Sequence, residues 1–362
     1  MSYGFNIFNQ TGTLAYSSES KCLNILDVFT ISSDSTGSKT YPNYAGCTIQ
    51  FQVTNAMVNP NWTINFQGFL PHNFTIDYAL GYPRISWNYV GGLTPSGGYY
   101  YPPKVVYISL LSRPNISNYG IKFVNENNEL LLVEDCANYK YLGQASVVSN
   151  DPAGGFWYIQ SVMTASITST TGYPLFFVEN LNGQQTSIRN ISQSGNVYTV
   201  TVSKSTNVAP RIFCFAKTEN ISLAGQYGMA IYNESGNLLF SSTNSVLNPL
   251  AYLTYSIPST SISEPSSNYI LPSTSLATVN GQIPTVSAIM CLANAFYGAE
   301  VNLFGTFVLK DCYLSFVRNS NSFYSGWLVG SGRGLPYDTT YPISANMSNL
   351  PKVFIIDANQ YI

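Results

Sequence analysis

The chain has 362 residues, enough for two or three domains, and only 9% of them are charged, against about 25% in an average soluble domain. The formal net charge of −2 gives no general attraction to nucleic acid or to anionic lipid. The 28 tyrosines and 20 phenylalanines suit pleated sheets, so we expect an all-β fold. We find no apolar run long enough to span a bilayer and no signal peptide, and expect synthesis in a cytosol without membrane insertion.

A short motif opens three successive stretches of the chain. Residues 3–16, 119–132 and 227–240 each begin with Tyr-Gly, and each carries an Asn and then a Leu at the same positions. Larger apolar residues alternate along the part before the Asn, with the period of two that is typical of a β-strand. The turn ends in Gly, Asn and Gly, the residue types that accept a positive φ. The motif therefore predicts a β-hairpin at the start of each stretch.

A second motif lies near the end of each stretch. Residues 103–108, 210–215 and 351–356 each read Pro, a basic residue and then four apolar or aromatic residues. Such a run predicts a buried strand that begins at a Pro. Cys214 stands where the first copy has Tyr107, so we expect the Cys214 thiol to lie in the core as a small hydrophobic group.

The distance between the two motifs, roughly a hundred residues, is the natural size of a β-sandwich. We predict three tandem β-sandwich domains, immunoglobulin-like or jelly-roll-like, at residues 1–115, 116–223 and 224–362. The extra length of the third lies largely in residues 255–285, a Ser/Thr/Pro-rich stretch that predicts a long exposed loop insertion. Residues 287–299 form an apolar run that fits helix or strand, and a match to the first copy favours strand.

Two weaker matches support the repeat. Residues 81–83 and residues 172–174 both read Gly-Tyr-Pro, in the first and second copies. Residues 55–57 read Asn-Ala-Met and resemble the Asn-Ala-Phe at residues 294–296 of the third copy. Both matches predict equivalent positions in the repeated fold.

The opening hairpin motif, at residues 2–18, resembles that of a family of short tail proteins in tailed bacteriophages of Gram-negative hosts. In that family a Tyr-Gly-Leu strand, an Asn-x-x-Gly turn and a Leu-rich return strand open the chain, and residues 118–134 and 226–242 echo them. The resemblance implies a virion component near the tail tip or fibres, without enzymatic activity or cofactor. Three copies occur here where one or two are expected, which leaves the position in the tail open.

Residues that could carry catalysis are few. His72 is the only histidine; it lies in a turn-like context, and no GxSxG motif occurs. The six cysteines show no metal-ligand spacing and the carboxylates are scattered, so we predict no catalytic, cofactor or metal site. Residues 330–334 read Gly-Ser-Gly-Arg-Gly, but the Leu-Pro-Tyr that follows breaks a dinucleotide-binding fingerprint and favours a flexible loop. A glycosidase pair of carboxylates stays open, because nothing selects one pair among the acidic residues.

Three consecutive tyrosines form the candidate binding site. Tyr99, Tyr100 and Tyr101 follow two glycines and precede two prolines. They cannot all face one core, so we expect at least one to be exposed, and exposed Tyr is favoured in recognition surfaces. Contact with a neighbouring domain or subunit and contact with a host surface both remain open.

These observations predict a non-enzymatic structural or adhesive component of a bacteriophage virion, at the tail tip or tail fibres, made in the host cytoplasm. The expected partners are other virion proteins, further copies of the chain, and a host surface glycan or envelope protein, with no nucleic acid. Three alternatives stay open: a capsid decoration or head-fibre protein, a secreted cell-surface adhesin, and a glycan-cleaving tailspike.

Overall fold

The computed structural model describes residues 6–8, 14–17, 23–32, 35–54, 72–89, 104–112, 123–124, 130–132, 139–151, 161–217, 230–232, 238–241, 246–256, 260–261, 275–290, 296–303, 306–335, 342–343 and 352–362. Over these residues the regular structure is β-strand, apart from two 3-10 turns at Pro42–Tyr44 and Ala358–Tyr361. This confirms the all-β prediction. No helix in the described ranges is long and apolar enough to cross a bilayer.

The first repeat has two antiparallel three-stranded sheets in addition to its opening hairpin. Its described strands are β1 (Asn6–Phe8), β2 (Leu14–Ser17), β3 (Asn24–Ile31), β4 (Gly37–Thr40), β5 (Thr48–Val53), β6 (His72–Asp77), β7 (Arg84–Tyr89) and β8 (Lys104–Ser112). β1 pairs with β2. One sheet has the order β3-β8-β5 and the other the order β4-β7-β6.

The second repeat has the same plan with one strand added. Its described strands are β9 (Phe123–Val124), β10 (Leu130–Leu132), β11 (Tyr139–Gln144), β12 (Ser146–Asp151), β13 (Ser161–Thr168), β14 (Leu175–Glu179), β15 (Gln185–Ser194), β16 (Val197–Lys204) and β17 (Ile212–Lys217). β9 pairs with β10, and the two larger groups have the orders β11-β17-β14 and β12-β13-β16-β15.

The third repeat follows the plan again, with its two groups of strands joined. Its described strands are β18 (Ala230–Tyr232), β19 (Leu238–Ser241), β20 (Pro249–Thr254), β21 (Thr260–Ser261), β22 (Ser275–Gly281), β23 (Ser287–Ile289), β24 (Phe296–Leu303), β25 (Thr306–Asn319), β26 (Ser322–Leu335), β27 (Pro342–Ile343) and β28 (Val353–Asp357). The order is β23-β28-β20-β22-β26-β25, β24 pairs with β25, and the pairs β18–β19 and β21–β27 are separate.

The predicted opening hairpins are confirmed, and they share one register. Each is antiparallel, and each has an irregularity at the same point of the pairing. The equivalent cross-strand pairs are Ile7 with Tyr16, Phe123 with Leu132, and Ile231 with Phe240. The turn residues, with the predicted left-handed positions, lie outside the described residues.

The Pro-base-apolar motif forms the central strand of a three-stranded group in each repeat. We call β8, β17 and β28 the closing strands, because each completes its repeat by inserting between two earlier strands: β3 and β5, β11 and β14, β20 and β23. The equivalent residues Tyr107, Cys214 and Ile355 are all fully buried, which confirms the predicted buried strand. Cys214 is a free thiol, as expected, and burial raises its pKa, so it stays protonated.

A second three-stranded group recurs beside each closing strand. Its order is β4-β7-β6, β13-β16-β15 and β22-β26-β25, so the last of these strands before the closing strand is always central. In the first repeat, Val106 and Ile108 of the closing strand share a hydrophobic cluster with Ile85 and Trp87 of β7. In the first repeat, the two groups therefore bury their apolar faces against each other.

Hydrogen bonds cross from the second repeat to the third. β14 pairs with β23, with Val178 opposite Ile289, and β15 pairs with β25, with Thr186 opposite Phe316. The two repeats thus share one continuous sheet. The domain boundary at residue 223 stays a prediction. While these hydrogen bonds persist, the strand groups on the two sides of that boundary cannot move freely past each other.

The first repeat packs on the other two through the outer face of its closing strand. Val106 and Ile108 point to their own core, while Val105 and Tyr107 join a large cluster built by the second and third repeats. The Tyr107 hydroxyl donates to the Pro174 carbonyl at 3.0 Å. Alternate side chains of β8 therefore pack into two different hydrophobic clusters.

Two buried glutamines of β5 hold the backbone of Lys352, just before the third closing strand. The Lys352 N–H donates to Gln50 Oε1 at 3.0 Å, and Gln52 Nε2 donates to the Lys352 carbonyl at 2.9 Å. The two glutamine side chains bond the N–H and the carbonyl of Lys352 as the backbone of a neighbouring strand would. These contacts fix the first repeat against the third.

The predicted loop at residues 255–285 is wrong over β22. The first half of β22 pairs with β26 and its second half with β20, so the strand joins the two groups of the third repeat. Ala277 is buried between the exposed Leu276 and Thr278, an alternation that the Ser and Thr content of the region obscured. Residues 262–274 lie outside the described residues.

Two further local predictions are corrected. Residues 330–334, predicted as a flexible loop, belong to β26, where Arg333 lies opposite Leu309 of β25. His72, predicted in a turn, begins β6 opposite Tyr89. In both places cross-strand pairing outweighs the turn preference of the local residues. The strand prediction for residues 287–299 is confirmed at both ends, in β23 and in β24.

The two Gly-Tyr-Pro motifs are not equivalent positions of the repeat. Gly81 and Gly172 both have positive φ, at 80° and 96°. Gly81 lies in the link between β6 and β7, whereas Gly172 lies between β13 and β14. The motif therefore marks a similar turn before a strand, at two different places in the topology.

A salt bridge fastens the second closing strand to β14, beside the junction with β23. Arg211 Nε donates to Glu179 Oε2 at 2.9 Å and Arg211 Nη2 donates to Oε1 at 2.7 Å. The Arg211 backbone N–H donates to Oε2 as well, at 3.1 Å. Burial raises the pKa of Glu179, but the hydrogen bonds from Arg211 outweigh it and hold this pKa below its usual value.

Gly281→Ala should be strongly destabilising. An alanine Cβ would overlap the Leu250 carbonyl oxygen, and φ is +117°. We expect the free energy of unfolding in urea to fall by about 3 kcal/mol or more. In the control Gly195→Ala, φ is +58° and no atom lies within 4 Å of the added Cβ, so only the left-handed backbone cost of about 1–2 kcal/mol applies. Equal losses of unfolding free energy in the two variants would show that the overlap with Leu250 does not contribute.

Glu179→Gln should flatten the acid limb of the stability curve. Because the folded pKa of Glu179 lies below its ordinary 4.5, the salt bridge stabilises the fold above that pH and loses this contribution as pH falls through the folded pKa. We expect the urea midpoint to fall more steeply with decreasing pH for the wild type than for the variant, measured at neutral pH, at about pH 5 and at about pH 3. If the plots of urea midpoint against pH ran parallel for the two proteins, the Glu179–Arg211 salt bridge would not contribute to stability.

Candidate interaction surface on the first repeat

The predicted binding residues Tyr99, Tyr100 and Tyr101 lie outside the described residues. They fall in the chain between β7 and β8. A binding role for them stays a prediction, and the structure offers a different surface on the same repeat.

Two loops leave the β4-β7-β6 group side by side. Thr40, at the end of β4, lies opposite Arg84, at the start of β7. The Tyr41 N–H donates to the Pro83 carbonyl at 3.0 Å, which carries the pairing one step beyond the strands. The loop after β4 and the loop before β7 therefore emerge at the same end. We call residues 42–46 and 78–82 together the loop surface.

The loop surface is aromatic and carries no charge. Its two segments read Pro-Asn-Tyr-Ala-Gly and Tyr-Ala-Leu-Gly-Tyr. Tyr78 is 43% exposed and Leu80 50% exposed, while Tyr44 and Tyr82 are half-buried. Tyr side chains offer large contact areas with few rotatable bonds, and such residues dominate the energetics of binding interfaces. The surface can thus take an apolar or sugar-like partner without an electrostatic requirement.

Asp77 and Gly81 fix the second loop. Asp77 Oδ1 accepts from the Ala79 N–H at 3.3 Å, and Oδ2 accepts from Arg84 Nε at 2.8 Å. The hydrogen bond from Arg84 holds the pKa of Asp77 below its usual value. The Gly81 N–H donates to the Tyr78 carbonyl at 2.9 Å, with Gly81 at φ +80°, a turn that a side chain would strain. Leu80 is therefore presented at the tip of a closed turn.

The first loop is fixed just as firmly. The 3-10 turn Pro42–Tyr44 has a Pro in its first turn, and the Tyr44 N–H donates to the Tyr41 carbonyl at 3.0 Å. Tyr41 is itself anchored, since its hydroxyl donates to Asp27 Oδ2 at 2.9 Å. Burial, then the charge of Asp27, raises the pKa of Tyr41, which keeps the hydroxyl protonated. Both loops are ordered before any partner arrives, which lowers the entropy cost of binding.

Lys39 completes the anchor beneath the first loop. Its ammonium lies 2.6 Å from Asp27 Oδ2 and 4.7 Å from the centroid of the Phe29 ring. Asp27 thus accepts from a lysine and a tyrosine at once, and this ties β3 to the end of β4.

In the part of the chain that the structure describes, no group of three or more His, Cys, Asp or Glu side chains is placed so that it could hold a metal ion. Sequence reasoning missed the loop surface. The available signal was a run of aromatic and small residues without charge, at residues 78–82, next to an Asp that can cap a turn.

Comparisons with family models, with curated proteins and with solved structures find no match to this chain.

Asp77→Ala should loosen the turn that presents Leu80. The change removes the acceptor for the Ala79 N–H and the partner of Arg84, so amide protection in this turn should fall severalfold. Hydrogen exchange followed by mass spectrometry of residues 77–84 measures it. The control Leu80→Ala keeps both hydrogen bonds and should leave exchange unchanged. Unchanged exchange in Asp77→Ala would show that the turn does not need the carboxylate.

Proposed function

We propose that this chain is a non-enzymatic structural and adhesive component of a bacteriophage virion, at the tail tip or tail fibres, and that it consists of three tandem β-sandwich units. The observation that carries the proposal is the recurrence, three times along one chain, of a hairpin followed by two strand groups in the same order. Tandem copies of one rigid unit serve length, spacing and contact area, which are the requirements of a particle component.

Two further observations support a mechanical role. Pairing of β14 with β23, and the hydrogen bonds of Gln50 and Gln52 to the backbone of Lys352, join described strands of different repeats directly. The low charge gives a surface that solvates through Asn, Ser, Thr and Tyr and does not attract nucleic acid. A stiff body of this kind transmits force between its neighbours.

The loop surface supports the adhesive half of the proposal. It presents Tyr78 and Leu80 on fixed turns at the end of a sheet, where recognition loops of β-proteins commonly lie. We propose that it contacts either a neighbouring virion protein or a host surface glycan or envelope protein.

The location of the chain in intact particles tests the proposal. Gold-labelled antibody against the purified protein should mark the tail in electron micrographs of the virus that encodes it. Label on the head would favour the alternative of a capsid decoration or head-fibre protein. Absence from purified particles would contradict the proposal, and release of sugar from host polysaccharide by the purified protein would favour the tailspike alternative.

A pair of variants tests the adhesive half in the same particles. Leu80→Asp places a charge on the loop surface and should slow adsorption to host cells by about 10-fold if that surface binds the host. The control Leu276→Asp changes a leucine that is 65% exposed elsewhere and should adsorb normally. Equal adsorption by both would assign the loop surface to contacts within the particle.

A further inference from the structure

Several strand edges of this fold are covered by the chain itself. At the edge of β5, the Ile49 N–H donates to the Tyr78 hydroxyl at 3.2 Å. At the edge of β11, the Leu247 N–H donates to the Tyr139 carbonyl at 2.7 Å, and Val246 bridges Lys140. The edges of β14 and β23 pair with each other. Covering of this kind prevents unpaired backbone groups from recruiting other strands.

β12 is a strand edge of a different kind. It ends the β12-β13-β16-β15 group, and within the described residues it pairs with β13 alone. Five of its six residues are exposed, among them Val147 at 53% and Val148 at 64%. Ser146–Asp151 contains no Lys, Arg or Pro, the residues that usually protect an edge. The strand is also an addition to the repeated plan, since the equivalent groups of the first and third repeats begin with β4 and β22.

The sequence of β12 is complementary to itself in the antiparallel direction. If a two-fold axis passes at Val148, this residue lies opposite its own copy and Val147 lies opposite Ser149. Asp151, the one charged residue of the strand, then lies opposite Ala145, so no like charges meet. The most exposed apolar side chain of the strand would thus be buried against its copy.

We infer that β12 pairs with β12 of a second copy of this chain, antiparallel about Val148, and so continues the sheet across two molecules. The chain already contains a pairing of this type, since β14 and β23 join the edges of two repeats in the same way. A second copy is the occupant because this register places the charged Asp151 opposite the uncharged Ala145 and the exposed Val148 opposite its own copy. The inference does not depend on where the chain lies in a particle.

A bulge sets the strength of this contact. The register of β12 against β13 passes from Val147 opposite Ala165 to Ser149 opposite Thr164, which leaves Val148 as the extra residue. A bulge twists the edge and shortens the regular run that can pair. Two strands of this length also bury less than the roughly 1,000 Å² of a stable interface. The dimer should therefore be weak and reversible, and it should form as concentration rises.

Sedimentation velocity of the full chain over a wide range of concentrations tests the inference. The wild type should pass reversibly from one chain mass towards two. Val148→Lys places two ammonium groups face to face at the axis and should weaken association by about 10-fold or more. The matched control Leu276→Lys adds the same charge at a residue of nearly equal exposure, 65%, in a strand that pairs with β20 and β26, and it should associate like the wild type.

Val148→Ser gives a second readout if the lysine variant folds poorly. It removes the exposed apolar side chain from the proposed axis without adding a charge, so association should be weaker than that of the wild type. A wild type that stays at one chain mass at the highest concentration would overturn the inference. Equal association by Val148→Lys and the wild type would also overturn it, because the contact would then lie on another surface.

Discussion

The fold depends on the insertion of each closing strand between two strands that precede it in the chain. β8, β17 and β28 are central in their groups, so their backbones are hydrogen-bonded on both sides and their side chains are buried on both faces. A strand in that position must be apolar throughout, and this explains a motif of four consecutive apolar residues in place of an alternating pattern. It also makes each repeat a long-range structure, since the last strand fixes the positions of the first.

The basic residue of the closing motif shows how one pattern is adapted to three surroundings. Lys104 is buried, and desolvation lowers its pKa to about 8. Arg211 forms the bidentate salt bridge with Glu179. Lys352 places its ammonium 4.0 Å from the centroid of the Tyr252 ring, while the glutamines of β5 hold its backbone. A basic residue is present in all three copies, but its surroundings differ: Lys104 is buried, Arg211 pairs with Glu179 of its own repeat, and Lys352 lies over Tyr252 of its own repeat.

Local patterns were sufficient for the hairpins and the closing strands, because residues a few positions apart determine both. They failed for β22 and for residues 330–334, where Ser, Thr and Gly suggested loops and pairing with β20, β25 and β26 makes strands. The Gly-Tyr-Pro match failed because a turn preference does not say which strands the turn connects. The loop surface and the β12 edge could not be predicted, because exposure depends on how distant segments meet.

Hydrogen exchange of the whole native chain, followed by mass spectrometry, tests the central role of the closing strands most directly. Segments hydrogen-bonded on both sides and buried on both faces exchange only through the largest unfolding events. We predict that residues 104–112, 212–217 and 353–357 are the slowest segments of their repeats, and that exchange is much faster in the hairpin strands β1, β2, β18 and β19. If one closing strand exchanged as fast as its hairpin, that repeat would not be built around it.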